Sequence, residues 1–280
     1  MIGVELRKLA LRPRVWFSVL LLCLLPAIVG VFLATADFAP PPGQGGAFLS
    51  AVVNDGALYP AAALALVLPL FLPIAVAVTA GDAIAGEAAT GTLRYLLVRP
   101  VGRTRLLGAK MIALAVYVTA AIVIVVLTSL VLGVILFGTG GTPGVAGPGG
   151  QPAGVTSLSG QSLSSSALGL RLLGTVTYIV VSMLGFAAIT LFLSTVSDSA
   201  LGAALGGLAV LITSTVLETL DAAASVRPYL PTHYWLSWID FFRDPVLWRN
   251  IDHGLLLQAG YIVVFFGAAW ANFATKDVTS

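Results

Sequence analysis

Six stretches of roughly 20 consecutive apolar residues, each long enough to cross a hydrocarbon layer of about 30 Å as a helix, dominate this 280-residue chain. They occupy residues 15–36, 57–80, 111–137, 172–196, 201–217 and 255–273. Lipid offers the backbone no hydrogen-bond partners, so such runs must satisfy their own amides and carbonyls as helices. Charged residues make up 9% of the sequence, against about 25% in an average soluble domain. The fold class that follows is an all-α polytopic membrane protein, with residues 1–280 as a single transmembrane domain.

Positive charge sets the expected orientation. Arg7, Lys8, Arg12 and Arg14 precede the first run, Arg94, Arg99, Arg103, Arg105 and Lys110 follow the second, and Lys276 follows the sixth. With six spans these all share one side, which the positive-inside rule makes cytoplasmic, together with both termini. The opposite side receives Arg171, Arg227, Arg243 and Arg249. The first run is not read as a cleaved signal peptide, despite Ala34-Thr35-Ala36. Its apolar part is too long, and further spans follow it.

The connections carry little conventional chemistry. Residues 138–171 are crowded with Gly, Pro and Ser, the composition of a flexible outer loop, and no Walker spacing follows its glycines. Residues 218–254 mix aromatic and charged side chains, which suits the membrane interface. Tyr234, Trp235 and Trp238 there read either as part of an aromatic belt or as an outer gate. His233 and His253 lack metal-ligand spacing, and the lone Cys23 reads as a small hydrophobe. No Asp, Glu, Lys, Arg or His falls within the six runs as drawn, so there is no evident place to couple an ion gradient. Gly202 and Gly206 form a small-xxx-small pattern, which serves close helix packing within one subunit or a dimer seam.

Residues 81–110 hold five of the fourteen Lys and Arg residues, beside Asp82 and Glu87. Thr90 and Thr92 are read as helix caps beside Gly91. Leu93, Leu96 and Leu97 then line one face of a short amphipathic helix that Pro100 ends, and Thr104 is read as the cap of the next helix. Lipid anchoring accounts for the arginines of this element. It does not account for the acidic pair.

The succession of Glu87, Gly91-Thr92-Leu93, Arg99-Pro100, Arg103 and Lys110, with Glu5-Leu6-Arg7-Lys8-Leu9 near the N-terminus, resembles the permeases of type-2 ATP-binding-cassette (ABC) transporters. The resemblance implies an amphipathic N-terminal helix over residues 1–14 and six spans. It also implies a cytoplasmic coupling helix within residues 81–107 that rests on a separate ATPase subunit. On that basis Asp82, Glu87, Thr92, Leu93, Arg94, Arg99 and Arg103 transmit motion from two ATPase copies to a pair of permease subunits, either homodimer or heterodimer. ATP and magnesium would bind the partner, since this chain has no Walker motif and no catalytic, cofactor or metal site of its own. The function expected is export of a drug, peptide or lipid-like substrate across the cytoplasmic membrane of a bacterium. The alternative is a gradient-driven secondary transporter without an ATPase, for which Pro69 and Pro73 would supply a broken helix.

Overall fold

The structure is a computed structural model that describes residues 1–35, 52, 55–91, 102–138, 157–159, 161 and 163–275. Among these the chain is all-helical, with no strand. Helix α1 (Ile2–Leu11) ends where Arg12 turns extended ahead of Pro13, whose ring disfavours helical geometry in the preceding residue. Pro13 then opens α2 (Pro13–Thr35), because a first-turn proline lacks only an amide that has no intrahelical partner there. The N-terminal element is thus ten residues and an elbow, and Pro13 and Arg14 belong to the first long helix.

The second apolar run is divided into α3 (Tyr59–Val67) and α4 (Phe71–Gly81), and the two halves are bent by 59°. Pro69 offers no amide, and the ring of Pro73 opposes the carbonyl four residues earlier, which is that of Pro69 itself. The halves still run from one end of the bundle to the other. At one end Gly56 N–H donates to the Gly138 carbonyl, and at the other the Arg12 guanidinium reaches Asp82.

A five-residue helix, α5 (Ala85–Ala89), follows, and Thr90 closes it by donating from its hydroxyl back to the Gly86 carbonyl (3.0 Å). Thr90 therefore ends a helix where the sequence reading had it begin one. Helix α6 (Arg103–Phe137) starts eight residues before the expected Met111. Its N-cap is Gly102 with no side-chain cap, so Thr104 lies inside the helix, where its hydroxyl accepts the Trp270 indole N–H (3.0 Å). At 35 residues α6 is about 52 Å long, well beyond the apolar layer.

Helices α7 (Ser165–Val196), α8 (Ala200–Thr219) and α9 (Trp248–Thr275) complete the fold. Ser164 and Ser199 cap α7 and α8 through their hydroxyls. Helix α7 is central, with two-thirds of its most apolar window buried against α4, α6, α8 and α9. Five helices (α2, α6, α7, α8 and α9) are long and apolar enough to span a membrane, and the bent α3–α4 pair makes six if it is one span. Such a set of helices marks a multi-pass membrane protein.

Candidate functional site

The charged residues near the α1 end of the bundle come together although the sequence separates them by up to 105 positions. Lys110, about two turns into α6, is 3% exposed, and Glu87 on α5 is 4% exposed. Their side chains meet at 2.8 Å (Nζ to Oε2). Lys110 Nζ also lies 3.3 Å from Glu5 Oε2, while Lys8 Nζ donates to Glu5 Oε1 (3.1 Å) and to Glu87 Oε1 (3.0 Å). Two carboxylates and two ammonium groups thus alternate in a closed, neutral ring joining α1, α5 and α6. Beside it Arg12 pairs with Asp82, which closes α4. Fully satisfied charges are the condition under which burial of this kind is tolerated.

Burial alone pushes the Glu87 carboxyl upward, but the ammonium groups of Lys110 and Lys8 outweigh it and hold the carboxyl below its ordinary value of 4.5. For Lys8 desolvation favours the neutral amine, and the contacts with Glu87 and Glu5 overcome it and raise the value above 10.5. Glu87 therefore contributes fully above pH 4.5 and is lost as pH falls through its lowered folded-state value. Lys8 contributes fully below pH 10.5 and is lost as pH rises through its raised value. Docking of α1 is expected to be insensitive to pH between 4.5 and 10.5, measured as hydrogen exchange of α1 amides with intrinsic exchange corrected for. A titration near neutral pH would contradict this assignment.

The turn between α4 and α5 is fixed from the other side by Ser194 of α7. Its hydroxyl donates to the Gly81 carbonyl (2.7 Å) and accepts from the amides of Ile84 (3.1 Å) and Ala85 (2.9 Å). Two glycines let the same turn pack tightly against α8 and against Asp82. A methyl group on Gly81 would lie 2.8 Å from the Ala204 amide nitrogen, and one on Gly86 would collide with the Asp82 carboxylate. Arg103 at the start of α6 donates to the carbonyls of Phe273 (3.2 Å) and Ala274 (2.9 Å), a cation on the C-terminal end of α9.

Asp82, Glu87 and Arg103 thus flank residues 92–101 and are held by α1, α6, α7 and α9. Thr92, Leu93, Arg94 and Arg99, with the expected surface helix, lie outside the described residues. The cavity bounded by Glu5, Lys8, Arg12, Glu87 and Lys110 measures only about 20 Å³, too small for a substrate. Among the described residues no three of His, Cys, Asp and Glu come together as metal ligands.

The other candidates lie elsewhere. Gly206 faces Leu193 of α7, which a methyl group would meet at 3.1 Å, and Gly202 is exposed beside Ser197. Of the α8 glycines Gly207 lies tightest against α7, where a methyl group would lie 2.6 Å from Thr190 Oγ1. Trp235 and Trp238 are buried in a 3-10 segment (Trp235–Phe242) that packs on α7 and α9. Trp235 meets Phe186 edge-on (5.8 Å), and the Tyr234 carbonyl accepts from the Tyr178 hydroxyl (2.6 Å). Exposed Tyr229 and Trp248 retain the character of interfacial anchors.

Sequence reasoning missed the ring and the polar Gln258. Glu5, Lys8 and Arg12 share one helical face at i, i+3 and i+7, a signal that could have revealed the first. Gln258 is 1% exposed and donates to the Pro231 carbonyl (2.8 Å), a contact with no sequence signature.

No curated protein matches the chain significantly. A family model described as "Protein of unknown function (DUF2705)" matches residues 23–279, nearly the whole helical bundle, and the chain belongs to that family.

Proposed function

We propose that this chain is the membrane-spanning permease subunit of an ABC exporter, driven by ATP hydrolysis on separate ATPase subunits. The observation that carries the reading is the ionic ring. It ties the turn after α4 to α1 and α6 at the end of the bundle where the resemblance expects a coupling helix. A surface element meant to pass force into a bundle needs flanks that do not yield, and Asp82, Glu87 and Arg103 supply them. Counting α3 and α4 as one span gives six crossings with both termini on the basic, cytoplasmic side. Cargo that is apolar or amphiphilic suits a chain whose spans are so poor in charge.

Pairing with a second permease copy is supported by the α3–α4 break. Leu70 and Phe71 are 49% and 40% exposed there, beside Pro69, which has no amide to offer. Lipid is a poor solvent for an interrupted helix, so a covering protein surface or a water-filled passage suits this face. Leu70→Cys is expected to cross-link two copies in native membranes under mild oxidation, whereas Val263→Cys on the exposed face of α9 is not.

The test of the function is co-purification with the ABC ATPase encoded beside the chain, followed by Leu93→Ala and Arg99→Ala. The reading expects weakened complex formation and lost stimulation of ATP hydrolysis. Unchanged values would sink the assignment of those residues. A gradient-driven transporter is the second reading, and the broken helix is what favours it. Uptake into ATP-free vesicles under an imposed ion gradient would select it.

A further inference from the structure

Beneath the elbow between α1 and α2 lies an apolar cleft of about 140 Å³. Leu6 and Leu9 of α1, Trp16 and Val19 of α2, and Val116 and Ala120 of α6 are among its walls. The polar atoms nearest to it are already engaged. Tyr117 shares a hydrogen bond with Ser18 (2.8 Å), and the Trp16 indole N–H donates to the Ala10 carbonyl (2.8 Å). The walls therefore offer hydrocarbon contact and nothing to bind a polar ligand. Next to the walls in sequence the character changes: Arg7 follows Leu6 and Arg14 precedes Val15, both cleft residues, and both arginines are exposed, with side chains long enough to snorkel. Lys8 and Arg12 are committed to Glu5, Glu87 and Asp82, but Arg7 and Arg14 have no acidic partner among the described residues.

We infer that this cleft binds one anionic phospholipid, with an acyl chain between α1, α2 and α6 and its phosphate at Arg7 and Arg14. A dry groove with two uncompensated cations each one residue from its walls matches that amphiphile and neither a neutral lipid nor a soluble anion. The site stands independently of the exporter reading, because it uses neither the ionic ring nor residues 92–101.

The full-length chain, delipidated in mild detergent, is titrated with phosphatidylglycerol and with phosphatidylcholine, and bound lipid is counted by native mass spectrometry. Retention of one phosphatidylglycerol at a concentration on the order of tenfold lower than phosphatidylcholine is expected. The Arg7→Gln/Arg14→Gln double variant should erase the preference while keeping weak binding of both lipids. Ala120→Trp, which fills the cleft, should abolish tight binding, with Val116→Phe as the second cleft variant should the first not fold. Equal retention of the two lipids by the unsubstituted chain overturns the inference. So does undiminished phosphatidylglycerol binding in a folded cleft variant, or full displacement of the lipid by excess glycerol phosphate.

Discussion

Lys110→Met is expected to destabilise the chain by about 3–5 kcal/mol, the cost of leaving a buried carboxylate without its counter-charge. The ring of Glu5, Lys8, Glu87 and Lys110 is neutral, and removing the Lys110 ammonium leaves two carboxylates facing Lys8 alone. Methionine conserves the stem, so the loss is electrostatic and not a cavity effect. Glu87→Gln should be destabilising for the converse reason. The Lys110→Met/Glu87→Gln double variant should lose less than the sum of the two, because it leaves the neutral Glu5–Lys8 pair. A coupling energy above about 1 kcal/mol, from denaturant titration in detergent, is the expected signature. Additive losses would mean that the two groups do not act on each other.

The second large effect is expected at the opposite end of α6. A methyl group on Gly133 would collide with the Gly56 carbonyl oxygen, and one on Gly56 with the Gly133 carbonyl oxygen. Backbone meets backbone at this point, and no flexible side chain can swing aside. The contact is sealed by Gly138, whose φ of 76° falls in the left-handed region and whose carbonyl accepts from Gly56 N–H (3.2 Å). Gly133→Ala should cost about 3 kcal/mol, the upper part of the usual overpacking range. Gly108→Ala, in the same helix but with nothing within 4 Å of the added methyl, should instead stabilise by about 0.4–1 kcal/mol. Thermal unfolding of both variants separates the two cases, and equal behaviour would refute the close approach.

Apolar run length located α2, α6, α7, α8 and α9 because hydrocarbon burial is a property of the segment itself. Their true ends were less legible. Arg103 to Lys110, Ser165 to Arg171 and Trp248 to Gly254 are polar enough to look like loops, yet they are helical beyond the apolar layer, where water and charged partners complete them. Thr90 and Thr104 were misread for a related reason. A threonine beside glycine is an equally good sign of a helix beginning or ending, and only the neighbouring elements decide. At the candidate site, the acidic pair and Arg103 stood out as charge in an apolar chain. Lys110 and the Glu5-to-Lys8 stretch stood out too, but not as their partners, since the contact of Lys110 with Glu5 exists only once α1 folds back over the start of α6. Trp235 and Trp238 show the same limit: composition offered an aromatic belt or an outer gate, and their burial beside α7 was not legible in it.

A strut pinned at both ends answers a push by bowing at its joint. The bent pair of α3 and α4 is pinned by Gly56 against Gly133 and by Asp82 against Arg12, and its joint lies at Leu68–Leu70. On the proposed exporter reading, load arriving beside Asp82 would emerge as sideways displacement of Leu70 and Phe71 at the joint, and hardly at all as sliding along the length of the pair. That reading therefore puts the site of input and the site of greatest travel in different places, separated by the length of α4.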